Sequence, residues 1–162
     1  MTEQTQVAAP PVQLVYEATY RARLKPPLDF GGPCPNGQRL FFEVIDGEIE
    51  GERLRGKILP GAGDWLLAGT DGYGRLDVRA TFQLDDGAVI YLSYYGVIEM
   101  NQAVQNWVGT GSGTSFEDQY FRTNPRWETG DPRYAWLNQN LFIGVGHLLP
   151  GLTVEYNVYR VP

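Results

Sequence analysis

An all-β chain that closes, or nearly closes, into an antiparallel barrel of about nine to ten strands is what this sequence predicts. Three observations lead there. Apolar and polar residues alternate over long stretches, as in Val12, Leu14, Tyr16, Ala18, Tyr20, Ala22 and Leu24 set against Gln13, Glu17, Thr19, Arg21 and Arg23. Glycine, at 20 of 162 residues, gathers with Asp, Asn and Pro between those stretches, where turns need it. No window longer than about ten residues carries a convincing helical period. Closure is favoured over an open sheet because it removes unpaired edges.

The elements follow in order. Residues 1–11 read as a disordered lead-in, and 12–162 as a single domain of ordinary size. Residues 12–24 form the first strand, ended by Pro26-Pro27, and Gly31-Gly32-Pro33 with Pro35-Asn36-Gly37 predicts a rigid loop. Residues 40–45 and 48–59 are expected as two strands joined by a turn at Asp46-Gly47. Pro60-Gly61-Ala62-Gly63 breaks the chain before a short strand that Asp64-Trp65 opens. The clearest hairpin runs from Arg75 to Met100 around Asp85-Asp86-Gly87. A two-residue Asp86-Gly87 turn sets Val78 across from Tyr95 and Arg79 across from Tyr94. Residues 101–118, with their run of glycines, predict a mobile loop holding one helical turn, and strands are expected at 119–125, 134–145 and 152–161.

Composition narrows the function. At 43% apolar and 20% charged residues the chain reads as a soluble globular protein. A net charge of −6 repels a phosphate backbone, so nucleic acid is not expected as a partner. No apolar run approaches the roughly 20 residues of a membrane span, and the N-terminus lacks the pattern of a signal peptide, which makes a cytoplasmic location the expectation. One cysteine, Cys34, permits no internal disulfide, and one histidine, His147, builds no Cys/His metal cluster. No metal and no cofactor is expected, although a carboxylate-bound magnesium ion stays open at this point.

Two constellations carry candidate chemistry. In the hairpin, Leu76, Val78, Ala80, Phe82 and Leu84 share one face, and Arg75, Asp77, Arg79, Thr81 and Gln83 the other. In the expected register the polar face meets Ile90, Leu92, Tyr94 and Gly96. Asp77 and Arg79 then either face water as an ordinary ion pair or line a lumen or interface as a recognition pair. The second constellation is Tyr120 and Arg122, Glu128, and then Tyr134, Trp136 and Asn138, which share a face if they lie on a strand. Its rings, guanidinium, carboxylate and amide suit an oxygenated ring or an acid. The plainer reading makes the rings core and pairs Arg122 with Glu128 on the rim. His147 reads as a loop residue, the glycine run lacks the lysine of a phosphate loop, and Cys34 has no histidine beside it.

Five motifs taken together, residues 59–65 (LPGAGDW), 76–79 (LDVR), 85–88 (DDGA), 120–123 (YFRT) and 134–138 (YAWLN), resemble a widespread family of small microbial β-barrel proteins catalogued as a domain of unknown function. The resemblance spans about Val12 to Val161. It implies a calycin-like barrel, often a homo-oligomer, and marks Asp64, Trp65, Asp77, Arg79, Trp136 and Asn138 as its polar positions. With it, the expectation is a barrel holding a small-molecule ligand. The leading function is a cofactor-independent isomerase, cyclase, hydratase or lyase using acid/base chemistry on an oxygenated, aromatic or lactone-like metabolite. Asp64, Asp77 and Arg79 would be catalytic, and Trp65, Tyr94, Tyr120, Arg122, Glu128, Tyr134, Trp136 and Asn138 would bind the substrate. A carrier or sensor barrel, or a structural oligomer, is the alternative.

Overall fold

The computed structural model describes residues 8–162. The expected lead-in therefore lies largely outside the described residues; from 8 to 14 the chain is exposed and has no regular structure. The elements are β1 (Val15–Leu24), β2 (Leu28–Cys34), β3 (Gly37–Gly51), β4 (Arg55–Ile58), β5 (Gly63–Ala68), β6 (Tyr73–Leu84), β7 (Val89–Glu99), α1 (Gln102–Thr110), β8 (Phe121–Thr123), β9 (Arg126–Glu128), a 3-10 turn (Pro132–Tyr134), α2 (Ala135–Asn138), β10 (Leu141–Leu149) and β11 (Thr153–Val161).

All strand pairs are antiparallel, and they form one closed ring of eight staves. β4 and β5 lie end to end between β3 and β6, β8 and β9 share the place beside β7, and β2 pairs only with β3. β1 and β11 close the ring, from Val15 opposite Arg160 to Arg23 opposite Thr153. A ring of this size leaves an interior that side chains fill or that holds one small ligand.

Period-two alternation decides which residues go inside. Ala18, Tyr20, Ala22 and Leu24 of β1, Leu76 to Leu84 at every second position of β6, Leu92 and Tyr94 of β7, and Val154, Tyr156 and Val158 of β11 are all buried. Each large apolar side chain so buried contributes about 1.5–3 kcal/mol of hydrophobic stabilisation. The two ends are plugged. α1 buries Val104 and Trp107, with the Trp107 Nε1–H donating to the Leu149 carbonyl at 2.8 Å. At the other end Leu137 of α2 and Trp127 of β9 enter the core.

Several expectations are corrected. The hairpin from β6 to β7 turns through three residues, not two: the Leu84 N–H donates to Ala88 C=O, the Gly87 N–H donates to Leu84 C=O, and Gly87 has φ of 90°. That is a tight turn closed by a left-handed glycine bulge. The extra residue shifts the register by one, so Val78 faces Tyr94 and Arg79 faces Ser93. Ile90, Leu92 and Tyr94 then share the inner face with Leu76, Val78 and Ala80, while Asp77 and Arg79 lie outside.

Asp46-Gly47 is not a turn, because β3 runs straight through it and the chain reverses at residues 52–54. The rigid loop expected at 31–37 is mainly the irregular strand β2, whose Gly31 and Gly32 N–H groups both donate to Asp29 Oδ1. Residues 102–110 form a full helix, capped by Asn101 Oδ1 accepting from the Val104 N–H. Residues 134–138, expected on a strand, are helical because Asp131 and Pro132 start a turn there.

Gly47 opposes Ala22 at a point of close approach. A Cβ there would fall 2.3 Å from the Arg21 carbonyl oxygen and 2.4 Å from Ile58 Cδ1. Gly47→Ala is expected to cost about 2–3 kcal/mol by forced repacking, read as a lowered urea midpoint.

Candidate functional site

The barrel interior is not fully packed. Small residues such as Ala22 and Ala80 stand where the inner face could carry larger ones, and they leave a cavity with about 60 Å³ of space that the centre of a water molecule can occupy. That is space for a few waters; a cavity of roughly 150 Å³ holds benzene, so a ring-sized ligand needs the walls, α1 above all, to give way. The cavity runs from the barrel centre to the underside of α1, where Val104 and Trp107 form its end wall. Its polar groups are few: the carboxyl of Asp64 and the phenols of Tyr20, Tyr94 and Tyr156.

Asp64 reaches this space through a break in the wall. β5 and β6 pair at Gly63/Arg79 and Asp64/Val78, then again at Leu67/Arg75, but not at Trp65 and Leu66 between them. The backbone groups left free there are satisfied by side chains. The Asp77 N–H donates to Asp64 Oδ1 at 3.1 Å, and Arg39 Nη1 donates to the Trp65 carbonyl at 2.7 Å. Asp64 and Leu66 point inward while Trp65 points out against Phe41, with ring centroids 4.7 Å apart. Burial is the main reason the Asp64 carboxyl is pushed up to about 7. The Asp77 N–H and Arg39 oppose that shift, and the Asp77 charge adds to it. A carboxyl so placed exchanges its proton near neutral pH, as a general acid or base must.

The tyrosines form one cluster. Tyr20 stacks on Tyr156 at 4.7 Å between centroids, and Tyr94 packs on Tyr156 at 5.6 Å and on Tyr20 at 6.4 Å. Burial holds all three phenols well above their ordinary range, so they act as hydrogen-bond donors and not as bases. Tyr20 is 2% exposed, and among the described residues its hydroxyl meets no partner at full hydrogen-bond geometry, although the Tyr94 hydroxyl lies close enough to lower its proton affinity against the effect of burial. A buried hydroxyl left unsatisfied costs free energy unless something else meets it.

Of the residues singled out from sequence, only Asp64 and Tyr94 meet in this cavity. The expectation that Asp77 and Arg79 line the lumen is overturned, since their side chains are 34% and 52% exposed and pair with each other at 3.4 Å on the outer wall. Tyr120 and Arg122 are also outside, with the guanidinium 5.1 Å from the ring centroid. The pairing of Arg122 with Glu128 on the rim does not form: Arg122 Nη1 donates to the Phe121 carbonyl, and Glu128 lies on β9, opposite Tyr91, with its side chain exposed. Tyr134 donates to Asp86 Oδ2 at 2.5 Å, Trp136 stacks under Arg53 at 3.6 Å, and Asn138 ties down Thr129 through both its amide groups. These three brace the α2 end of the barrel.

Tyr20 and Tyr156 were missed, although the strand pattern held a signal. Each is a tyrosine on the apolar face of its strand, flanked by Ala18 and Ala22 or by Val154 and Val158. Large rings with hydroxyls among small neighbours mark unfilled space.

Two outcomes follow. Tyr20→Phe removes an unsatisfied hydroxyl and keeps the ring, so the variant is expected to be as stable as the natural chain or up to about 1 kcal/mol more so, by urea titration. Asp64 keeps its proton to about pH 7 when folded, whereas an unfolded aspartate releases it at about 3.9. The folded state binds the extra proton between those values, so this group's contribution to stability falls as pH rises from about 4 to about 7. Asp64→Asn, which still accepts from the Asp77 N–H, is expected to gain on the natural chain across that window, with the smallest difference at about pH 4.

Among the described residues there is no group of three or more His, Cys, Asp and Glu arranged to hold a metal ion, and no helix is long and apolar enough to cross a membrane. A UPF0311 protein of Rhodopseudomonas palustris (strain TIE-1) is 34% identical to the chain over 139 residues, which cover 83% of this chain and 88% of that protein. PR-toxin biosynthesis cluster protein 7 of Penicillium roqueforti is 30% identical over 125 residues, 72% of this chain and 62% of that one. Among solved structures, a conserved protein of unknown function from Rhodopseudomonas palustris matches with a TM-score of 0.84 at 30% identity, covering 96% of this chain and 100% of its own. A β-barrel-like protein from Acinetobacter baumannii matches at 0.80 and 30%, covering 97% and 100%. An enzyme from Penicillium herquei matches at 0.70 and 17% identity, over 96% and 98%, which is a likeness of fold alone. The family model described as "Protein of unknown function (DUF3237)" matches residues 10–161, from ahead of β1 to the end of β11, and the chain belongs to that family.

Proposed function

We propose that the protein is an enzyme that moves protons on a small molecule held inside the barrel, with Asp64 as the acid/base group and the tyrosine hydroxyls as partners for a substrate oxygen. One observation carries the reading: the one carboxyl that faces the cavity among the described residues has its proton affinity brought to about 7 by its surroundings. A structural carboxylate in a barrel wall is more commonly held low by a cationic partner, as Glu17 is here; burial raises its affinity, but Arg53 and Arg160 outweigh burial. Among the described residues Asp64 forms no ion pair, and Arg39 lowers its proton affinity only from a distance.

In this reading the ionised Asp64 takes a proton from a carbon next to a carbonyl, and the carbonyl oxygen gathers the resulting charge under a phenol O–H. Returning the proton to a different atom gives isomerisation, expulsion of a group from the next carbon as the enolate collapses gives a lyase outcome, and attack of the enolate on an electrophilic carbon of the same molecule, followed by return of the proton, gives ring closure. The catalytic role expected for Asp77 and Arg79 is not retained, because both stand outside the cavity. Support of a coarser kind comes from the Penicillium herquei fold neighbour, which is described as an enzyme, and from the Penicillium roqueforti relative, named for a toxin biosynthesis cluster.

The test uses the low-molecular-mass fraction of a cell extract in heavy water. With the natural chain, at least one compound is expected to gain deuterium or change mass, at a rate that rises with pH through about 7. With Asp64→Asn the change is expected to fall by about a hundredfold or more. A compound that copurifies unchanged, with no Asp64-dependent exchange in any fraction, would instead establish a carrier.

A further inference from the structure

The same cavity restricts what can enter it, and this inference rests on the lumen being the site, whether or not Asp64 turns a substrate over. We infer that the ligand is a neutral, flat, largely apolar molecule carrying a carbonyl or phenolic oxygen, bound with that oxygen on the Tyr20 hydroxyl, and that organic anions are excluded.

Three observations converge. The first is charge. Among the described residues lining the cavity, Asp64 is the only acidic one and none is Lys, Arg or His. A carboxylate or phosphate entering there would lose its water and find no cation to replace it, beside a carboxyl that is itself partly ionised at neutral pH. Arg39 reaches the same stretch of wall, but its Nη1 is committed to the Trp65 carbonyl. The arginines that the sequence brought forward as site residues, Arg79 and Arg122, lie on the outer surface.

The second is shape. Rings bound the space on several sides: the Tyr20, Tyr94 and Tyr156 cluster, with Phe121 packed on Tyr156 at 5.1 Å, and Phe42 facing Trp107 at 6.4 Å beneath α1. Walls of this kind favour a flat partner, because ring faces and edges meet it over its whole area.

The third is the lone polar demand. Among the described residues the buried Tyr20 hydroxyl makes no hydrogen bond of full geometry, and the hydroxyl beside it is that of Tyr94. Its phenol holds its proton strongly, so it offers a donor and calls for an acceptor oxygen. An organic cation is the rival that Asp64 and the ring faces would attract, but it would leave that donor unmet.

Four probes of similar size separate these cases by calorimetric titration at about pH 8: acetophenone, benzoate, ethylbenzene and 1-phenylethylammonium. Acetophenone is expected to bind most tightly, with benzoate at least about a hundredfold weaker. Tyr20→Phe, which keeps the ring, is expected to weaken acetophenone about tenfold and leave ethylbenzene unchanged. The inference is overturned if benzoate or 1-phenylethylammonium binds as well as acetophenone, if Tyr20→Phe affects acetophenone and ethylbenzene equally, or if none of the four binds at millimolar concentration. Failure of catalysis is a separate result. Acetophenone binding through Tyr20 without Asp64-dependent exchange in extract would leave this ligand class standing and remove only the enzymatic reading.

Discussion

The structure depends on the pairing of its first and last strands. β1 and β11 meet over nearly their whole lengths, and until they do the inner faces of all eight staves have no common interior to bury. These partners stand far apart in sequence, so closing the ring carries a large loop-entropy cost that the collected burial of the inner residues offsets. Once the ring is shut, alternation leaves no freedom: every second side chain goes in, whatever its chemistry. That is how an aspartate comes to face an apolar interior. Asp64 is on the inner side because Leu66 is, and the chain cannot bury one without the other.

The wall accommodates this aspartate by giving up part of the ladder between β5 and β6. A backbone donor of β6 is satisfied by the carboxyl itself, and a backbone acceptor of β5 by a guanidinium from the neighbouring β3. The hydrogen-bond count is preserved while the strands are locally unzipped, so the group is held in a fixed orientation and its second oxygen is left for the interior. Elsewhere the wall is braced in the ordinary way by outward-facing ion pairs, such as Lys25 with Glu43 at 2.7 Å. Exposed pairs of that type add little to stability, and their more evident effect is to keep the outer face polar.

The barrel was legible in the sequence because its signal is repeated in every stave, and a single misplaced strand does not erase it. The site was not legible to the same degree, because it depends on parity. One residue too few in the loop at Asp85-Asp86-Gly87 moves every side chain of β7 to the opposite face relative to β6. That slip placed Asp77 and Arg79 among Leu92 and Tyr94 when they stand across the wall from them. The run from Tyr134 to Asn138 failed for a different reason: its aromatic content mimics a strand, and only Asp131-Pro132 betrays the helical turn. Asp64 came through because the family resemblance marked it, and the same resemblance marked Trp65, which points outward; Tyr20 and Tyr156 went unseen because a tyrosine on an apolar face reads as core.

The helix over the open end of the barrel differs in kind from everything it covers. α1 shares no ladder with the staves; the Trp107 indole and one side of Val104 are its principal holdings in the core, and the loop after it is pinned through Thr114 to Leu148. Lifting it parts no strand from its neighbour. The interior can therefore be unstoppered at a small fraction of the free energy that unfolding the ring requires. Displacing α1 uncovers the lumen, and the vessel beneath stays whole.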